Sequence, residues 1–206
     1  MIRDGLNRIS RRIPAGSLYL IGILPVVWLF WRGATGGLGV DPVKVIEHEL
    51  GKLAFQCLIA ALMIGPLRRF AGINLLKFRR ALGVLAFSFA VIHLGVWLAL
   101  DIQFLWGQIW ADLVKRPYIT FGMAGLLMML PLAVTSNDLS IRRMGAAAWR
   151  RLHLLAYPAA IAGATHYLMS VKAWPLEPVL YAAVVAGLVG LRVRSAISLR
   201  LANPHA

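Results

Sequence analysis

Three histidines lie inside strongly apolar stretches, where an ionisable side chain is costly and usually serves an ion path, a proton relay or a cofactor. His153 and His166 share the stretch 149–171, which reads WRRLHLLAYPAAIAGATHYLMSV, and His93 lies in the stretch 81–100. Imidazole is the commonest side-chain ligand for metals and also binds haem iron. All three histidines are therefore candidate iron ligands.

The rise of an α-helix places these histidines at two depths. Thirteen residues of helix rise about 20 Å, so His153, just past two arginines, lies near one membrane face and His166 lies close to the other. His93 comes about fourteen residues after the basic start of its own stretch, at roughly the depth of His166. The spacing predicts that His93 and His166 face one iron and that His153 belongs to a second centre.

A structural role for each histidine stays open, because a histidine in a transmembrane helix can simply hold two helices together by hydrogen bonds. Thirteen residues also rotate by about 220°, so His153 and His166 do not share one face of a straight helix. Pro158 and Gly163 lie between them and could kink the helix.

Composition sets the class of protein. Of 206 residues, 60% are hydrophobic and 15% are charged, with a mean hydropathy of +0.73. A soluble core of this size could not hide so much apolar surface. The single cysteine, Cys57, excludes an internal disulfide and any cysteine-based iron–sulfur or zinc site, and we interpret it as a packing residue. We predict an all-α integral membrane protein with a single domain over residues 1–206.

Six apolar stretches are each near the ~20 residues needed to cross a bilayer. They predict a six-transmembrane-helix bundle with helices over about 18–31, 50–66, 81–100, 117–135, 149–171 and 174–191. A secretory signal peptide is the alternative for the first stretch, although its Trp-rich end is typical of a membrane interface. The connector 101–116 is too short and too charged to cross and predicts an interfacial helix. We expect His48, in the charged loop 32–49, and His205, in the C-terminal tail, to be solvated.

The positions of the charges predict the orientation. Sixteen of the 22 Lys and Arg residues lie in the N-terminal segment and in the segments 68–80, 142–151 and 192–200, which all fall on one side. The other side has six basic and six acidic residues. By the positive-inside rule both termini are cytoplasmic, His153 lies near the cytoplasmic face, and His93 and His166 lie toward the outer face. The net charge of +14 is then a signal of topology and of contact with membrane lipid, with no nucleic acid implied.

Three of these stretches carry a family resemblance. Over nearly its whole length the chain resembles the MsrQ (YedZ) family, the haem-binding membrane subunits of bacterial protein-methionine-sulfoxide reductase systems, within the ferric-reductase-like transmembrane superfamily. More distant relatives have two histidines on each of two helices, whereas the position thirteen before His93 is Arg80 here. The most specific stretches are LGVLAFSFAVIHLGVWL around His93, KRPYITFGMAGLLMMLPLAVTSND from Lys115 to Asp138, and WRRLHLLAYPAAIAGATHYL from Trp149 to Leu168.

The resemblance implies a haem b electron conduit in the bacterial inner membrane, with His93, His166 and His153 as haem ligands. In this family, electrons enter from a cytoplasmic flavin reductase through FMN, or from the quinol pool. They leave to a periplasmic molybdopterin-dependent catalytic subunit that reduces methionine sulfoxide in envelope proteins. Such a subunit has no substrate-reducing site of its own. Arg79 and Arg80, in the basic loops near His153, are candidate FMN phosphate contacts, although topology and lipid contact alone also explain them.

Two other interpretations stay open. One is a stand-alone ferric or quinone reductase of the same architecture, which works without a periplasmic partner. The other is a non-redox membrane protein, a small transporter or a scaffold, whose histidines are structural and whose purified form is colourless.

Overall fold

The computed structural model describes residues 2–202 except Lys172 and Trp174, and every regular element in that part of the chain is helical. Two π-helical turns, Leu67–Ala71 and Trp97–Asp101, extend α3 and α4, and a 3₁₀ turn at His153–Leu155 joins α8 to α9. The ten α-helices of the described residues are α1 (Ile2–Arg12), α2 (Ser17–Ala34), α3 (Pro42–Pro66), α4 (Arg79–Val96), α5 (Trp106–Lys115), α6 (Pro117–Val134), α7 (Asp138–Met144), α8 (Ala146–Leu152), α9 (Ala156–Ser170) and α10 (Leu176–Ala202).

Five helical stretches within the described residues are long and apolar enough to cross a membrane. They are Ser17–Ala34, Pro42–Ala71, Leu76–Asp101, Pro117–Val134 and Leu176–Ser195. The all-α membrane fold is thus confirmed, while the count of six spanning helices and the cytoplasmic position of both termini remain predictions.

The expected helix 149–171 is divided into α8, the 3₁₀ turn and the 15-residue α9. Pro158 has no N–H group, so the carbonyl of Leu154 cannot receive the α-helical hydrogen bond that the residue four positions later normally donates. The 3₁₀ turn contains Leu154, so the irregularity falls one turn before the proline. His153 therefore lies in the 3₁₀ turn, before the regular helix that carries His166.

Two predicted boundaries were wrong in detail. Helix α3 begins at Pro42 rather than near residue 50, because Asp41 caps it by accepting a hydrogen bond from the Lys44 amide at 3.1 Å and proline suits a first helical position. His48 is therefore exposed on a helix rather than in a loop. At the other end of the chain, α10 continues to Ala202 rather than ending near residue 191. The predicted start of that helix at Trp174, and His205, lie outside the described residues.

The helices that carry the histidines pack through small residues. Helix α3 runs along α4, α6 runs along α9, and α9 also contacts α3 and α10. Ala159 and Ala160 of α9 are buried, and a Cβ added at Gly125 of α6 would lie 3.5 Å from the carbonyl oxygen of Ala159. Such small residues let two helix backbones approach closely in a membrane. The α3–α4 and α6–α9 pairs together enclose the site described next.

The connector between α4 and α6 is helical, as expected. Helix α5 follows two residues with positive φ, Gln103 at 52° and Phe104 at 56°, and exposes Trp106, Trp110 and Val114 along one face. Its position at the membrane surface stays a prediction.

Candidate functional site

The structure brings together two of the three histidines. His93 on α4 and His166 on α9 face each other with their ring centroids 6.1 Å apart and their planes at 82°. With metal–nitrogen bonds of about 2 Å, two imidazoles on opposite sides of one metal place their ring centroids about 6 Å apart. The pair therefore has the separation needed to bind one metal centre between them.

Both rings of this pair are oriented by the backbone of a neighbouring helix. The Nδ1 atom of His93 lies 2.7 Å from the carbonyl oxygen of Glu47, and Nδ1 of His166 lies 2.7 Å from the carbonyl oxygen of Tyr118. A carbonyl oxygen can only accept, so Nδ1 carries the proton in each ring and Nε2 keeps its lone pair. A hydrogen bond of this kind orients a metal-binding histidine and raises its basicity.

Two glycines allow this close packing of the rings. A Cβ added at Gly51 would lie 3.2 Å from Cε1 of His93, and one added at Gly122 would lie 2.8 Å from Nδ1 of His166. Neither position stood out in the sequence. The available signal was that glycine within a helix costs about 1 kcal/mol relative to alanine, so each needs a reason to be there.

The two histidines line a cavity of about 510 Å³, which is within the usual size range of cofactor pockets. Its inner part is apolar and includes Phe55, Leu58 and Met129. Its outer part lies at the start of α3, the start of α6 and the end of α9, and includes Tyr118 and Ser170. The cavity therefore offers hydrocarbon at one end and polar groups at the other.

The charged side chains that line this cavity are mostly cations. Lys44, Lys52 and Arg116 line it together with one carboxylate, Glu47, and with His48. Each cation also pairs with a carboxylate at the rim, as in the contacts Lys44–Asp101 at 2.6 Å, Lys52–Glu49 at 2.9 Å and Arg116–Asp112 at 3.3 Å. A ligand with an apolar body and anionic groups at one edge would match this distribution.

These features fit a haem better than a bare metal ion. A structural zinc site takes four protein ligands, whereas haem iron takes only its axial ligands from the protein. The facing pair supplies two imidazoles, and the cavity between them has room for a macrocycle. Haem is also apolar except for two propionate groups on one edge, which corresponds to the polarity of the cavity.

The third histidine lies apart from this pair, in a cavity of about 230 Å³. The ring of His153 stacks on Trp149 with centroids 3.8 Å apart, and its Nδ1 lies 3.0 Å from the carbonyl oxygen of the same tryptophan. Its Nε2 is buried and has no hydrogen-bond partner in the part of the chain that the structure describes. Burying a polar nitrogen without a partner costs free energy. A ligand bound at Nε2 would offset that cost.

A thin partition separates the two cavities. The side chains of Leu58 on α3 and Met129 on α6 line both of them, so these two residues lie between the sites. We call the larger one the outer cavity and the smaller one the inner cavity.

Arg79 and Arg80 both line the inner cavity. The guanidinium of Arg80 donates a hydrogen bond of 2.6 Å to Asp138 at the start of α7, and this contact holds the pKa of Asp138 below its usual range. Arg80 occupies the position where the resemblance would place a fourth histidine, and it is engaged by a carboxylate. The role of the two arginines as FMN contacts stays a prediction.

Comparisons with known proteins agree with this architecture. Residues 50–164 match the family described as ferric reductase like transmembrane component. A protein of Brucella anthropi named "Protein-methionine-sulfoxide reductase heme-binding subunit MsrQ" is 47% identical over 189 residues, which cover 92% of this chain and 82% of the relative. Proteins of the same name from Brucella ovis and Brucella melitensis are 51% identical over 172 residues, or 84% of this chain and 78% of each relative.

The family match and the apolar helices together make this a multi-pass protein of the inner membrane. The matched region contains His93 and His153, whereas His166 lies two residues beyond its end. The alignments with the relatives, which cover most of the chain, show the family directly. The chain belongs to the MsrQ family of ferric reductase-like transmembrane proteins.

Proposed function

We propose that the protein is a haem b subunit that carries electrons across the inner membrane to a periplasmic molybdopterin-dependent methionine sulfoxide reductase. The observation that carries this proposal is the facing pair His93 and His166, with ring centroids 6.1 Å apart and both Nδ1 atoms bonded to carbonyls. The names of the relatives support haem binding and the association with methionine sulfoxide reductase.

In this proposal the outer cavity holds the haem. His93 and His166 would hold its iron through Nε2, and the carbonyls of Glu47 and Tyr118 keep both rings in position. When bound, the haem supplies a centre that accepts and releases one electron. Lys52 and Arg116 at the outer rim would attract its propionates. The apolar inner wall would exclude water from the macrocycle.

The inner cavity is the proposed entry point for electrons. The Nε2 of His153, which is buried and has no hydrogen-bond partner among the described residues, supports a role for this histidine as the ligand of an inner haem. Arg79 and Arg80 at the same cavity would contact the phosphate of FMN if the donor is a reduced flavin from a cytoplasmic flavin reductase. Quinol is the alternative donor. The charge distribution supports entry on this side, because basic segments favour a cytoplasmic position.

Optical spectroscopy of the purified protein tests the proposal. We expect a reducible Soret band with the low-spin features of two imidazole ligands. Substituting His93→Ala or His166→Ala should remove that haem, whereas His48→Ala should leave it in place. His48 is the matched control because it lines the same cavity but is exposed.

Three outcomes would contradict parts of this proposal. A colourless protein would favour the non-redox interpretation. A full haem complement in both His93→Ala and His166→Ala would show that the pairing is wrong. Reduction of ferric iron by the purified subunit, with no effect of a periplasmic partner, would favour a stand-alone reductase.

A further inference from the structure

Helix α1 has an apolar stripe that no other described element covers. Leu6, Ile9 and Ile13 are 43%, 58% and 41% exposed, and the amide of Ile13 continues the helical turn by donating to the carbonyl of Ile9 at 3.4 Å. At 100° per residue these three side chains fall within a sector of about 60°. The stripe is therefore a continuous apolar edge along the helix.

The adjacent side of α1 is fastened to the loop 72–77. The side chain of Asn7 makes two hydrogen bonds there, because Nδ2 donates to the carbonyl of Gly72 at 3.1 Å and Oδ1 accepts from the amide of Asn74 at 2.8 Å. Lys77 closes the contact from the loop, and its Nζ donates to the carbonyls of Arg11 at 3.2 Å and Ile13 at 2.6 Å. Helix α1 and this loop thus form one unit.

The position and charge of α1 indicate what covers its stripe. The helix ends only a few residues before the membrane-span candidate Ser17–Ala34, so it must lie close to the membrane surface. It carries Arg3, Arg8, Arg11 and Arg12 against one acid, Asp4, which pairs with Arg3 at 3.6 Å. An apolar stripe beside a basic face is typical of a helix that lies in the plane of an anionic membrane surface.

We propose that α1 is an in-plane anchor that binds anionic lipid headgroups and thereby fixes the loop 72–77. Its apolar stripe enters the boundary between headgroups and acyl chains, while Arg8 and Arg12 contact lipid phosphates. A soluble protein is a poorer occupant, since three side chains offer far less than the ~800 Å² that each partner contributes to a stable interface.

This anchor has a consequence inside the protein. The loop 72–77 leads through a 3₁₀ turn, Leu76–Phe78, into α4. Leu76, Arg79 and Arg80 at that junction line the inner cavity. Anionic lipid under α1 therefore stabilises one rim of the cavity that contains His153.

The lipid contact is tested on the full chain in nanodiscs of phosphatidylcholine alone and of phosphatidylcholine with phosphatidylglycerol. A polarity-sensitive dye is attached at Ile9→Cys in a Cys57→Ala background, and Asp4→Cys, on the opposite side of α1, is the matched control. We expect the dye at position 9 to be blue-shifted and shielded from iodide, more strongly with phosphatidylglycerol, while the dye at position 4 stays accessible. Equal accessibility of both positions in both lipids would overturn the proposal, as would shielding that appears only after a flavin reductase is added.

Two variants then test the arginines and the Asn7 hydrogen bonds separately. Arg8→Gln with Arg12→Gln should weaken the phosphatidylglycerol-dependent shielding by about fivefold per arginine removed. Asn7→Ala should keep the shielding but speed hydrogen exchange of the loop amides 74–77. Unlabelled parent protein should show slower exchange in this loop when phosphatidylglycerol is present. Exchange that is independent of lipid in the parent would refute the coupling, and unchanged shielding in the double variant would refute the headgroup contact.

Discussion

The outer and inner cavities share helices α3, α4, α6 and α9 but differ in how firmly their histidines are held. In the outer cavity, two imidazoles face each other and each is held by a carbonyl of a different helix. In the inner cavity, Nδ1 of His153 lies 3.0 Å from the carbonyl oxygen of Trp149, in the same turn of the chain. A site fixed from several helices suits a permanently bound cofactor, whereas a single histidine beside arginines suits a group that receives electrons from a partner.

Among changes that keep both histidines of the outer cavity, the largest expected effect comes from filling the space against one of their rings. In Gly122→Ala the new Cβ would lie 2.8 Å from Nδ1 of His166, so the ring must move and its bond to the Tyr118 carbonyl is lost. Loss of such an orienting partner typically costs about 10- to 100-fold in metal affinity. We expect haem content to fall accordingly in the purified variant, measured by absorbance against protein concentration. Gly107→Ala is the control, because a Cβ at that position on α5 meets nothing within 4 Å; equal haem loss in both variants would refute the account.

The next largest effect distinguishes the role of the inner cavity from that of the outer cavity. We expect His153→Ala to keep the outer haem spectrum and to slow its reduction by a cytoplasmic-side donor by at least roughly tenfold, equivalent to ~1.4 kcal/mol in the barrier. The measurement is stopped-flow absorbance in oriented vesicles. Ser136→Ala removes a hydroxyl from the same cavity without touching an imidazole and should reduce at the parent rate. An unchanged rate in His153→Ala would mean that this histidine is structural and that electrons bypass it.

A smaller effect concerns the cations of the outer rim. Lys52→Gln and Arg116→Gln each remove a positive charge beside the proposed haem, and a cation stabilises the reduced form. We expect each change to lower the midpoint potential by a few tens of millivolts, from Coulomb's law with an effective dielectric constant of about 20. Redox titration followed at the Soret band measures this shift. Lys115→Gln is the control, because the lining of the outer cavity includes its neighbour Arg116 but not Lys115 itself. An equal shift there would indicate a general surface effect instead.

The smallest effect concerns the contact between Arg80 and Asp138. The hydrogen bond from Arg80 holds the pKa of Asp138 below its usual value. The unfolded chain therefore binds the proton more readily than the folded one, and the contact stabilises the fold only while the carboxyl is ionised. We expect Asp138→Asn to lower the unfolding temperature slightly at pH 7. The difference from the parent should disappear as the pH falls below the usual aspartate pKa and through the folded one, and a difference that does not vary with pH would contradict this role.

Helical rise alone was enough to predict that His93 and His166 lie at one depth, because depth depends only on counting residues along two helices. It could not predict their partners. The carbonyls of Glu47 and Tyr118 belong to helices 46 and 48 residues away in the sequence, and no side-chain pattern marks a carbonyl. Their positions depend on how α3 packs on α4 and how α6 packs on α9.

The start of α3 was missed for a different reason. The charges between positions 44 and 49 look like a loop when hydropathy alone is counted. The local signal was Asp41 followed by Pro42, a cap followed by a residue suited to the first helical turn. That missed segment carries Lys44 and Glu47, so part of the candidate site was placed in a loop.

The partition formed by Leu58 and Met129 has an electrical consequence. These two side chains replace water and ions with hydrocarbon, so part of the transmembrane voltage falls across them. If the inner cavity faces the cytoplasm, as proposed, an electron that passes from the inner to the outer cavity moves negative charge away from the negatively charged cytoplasm. Each full crossing would gain about 2.3 kcal/mol per 100 mV of membrane potential. Repair of oxidised proteins outside the membrane would then draw on the energised state of the membrane as well as on the reductant, and collapse of the voltage by an ionophore would slow the outward step.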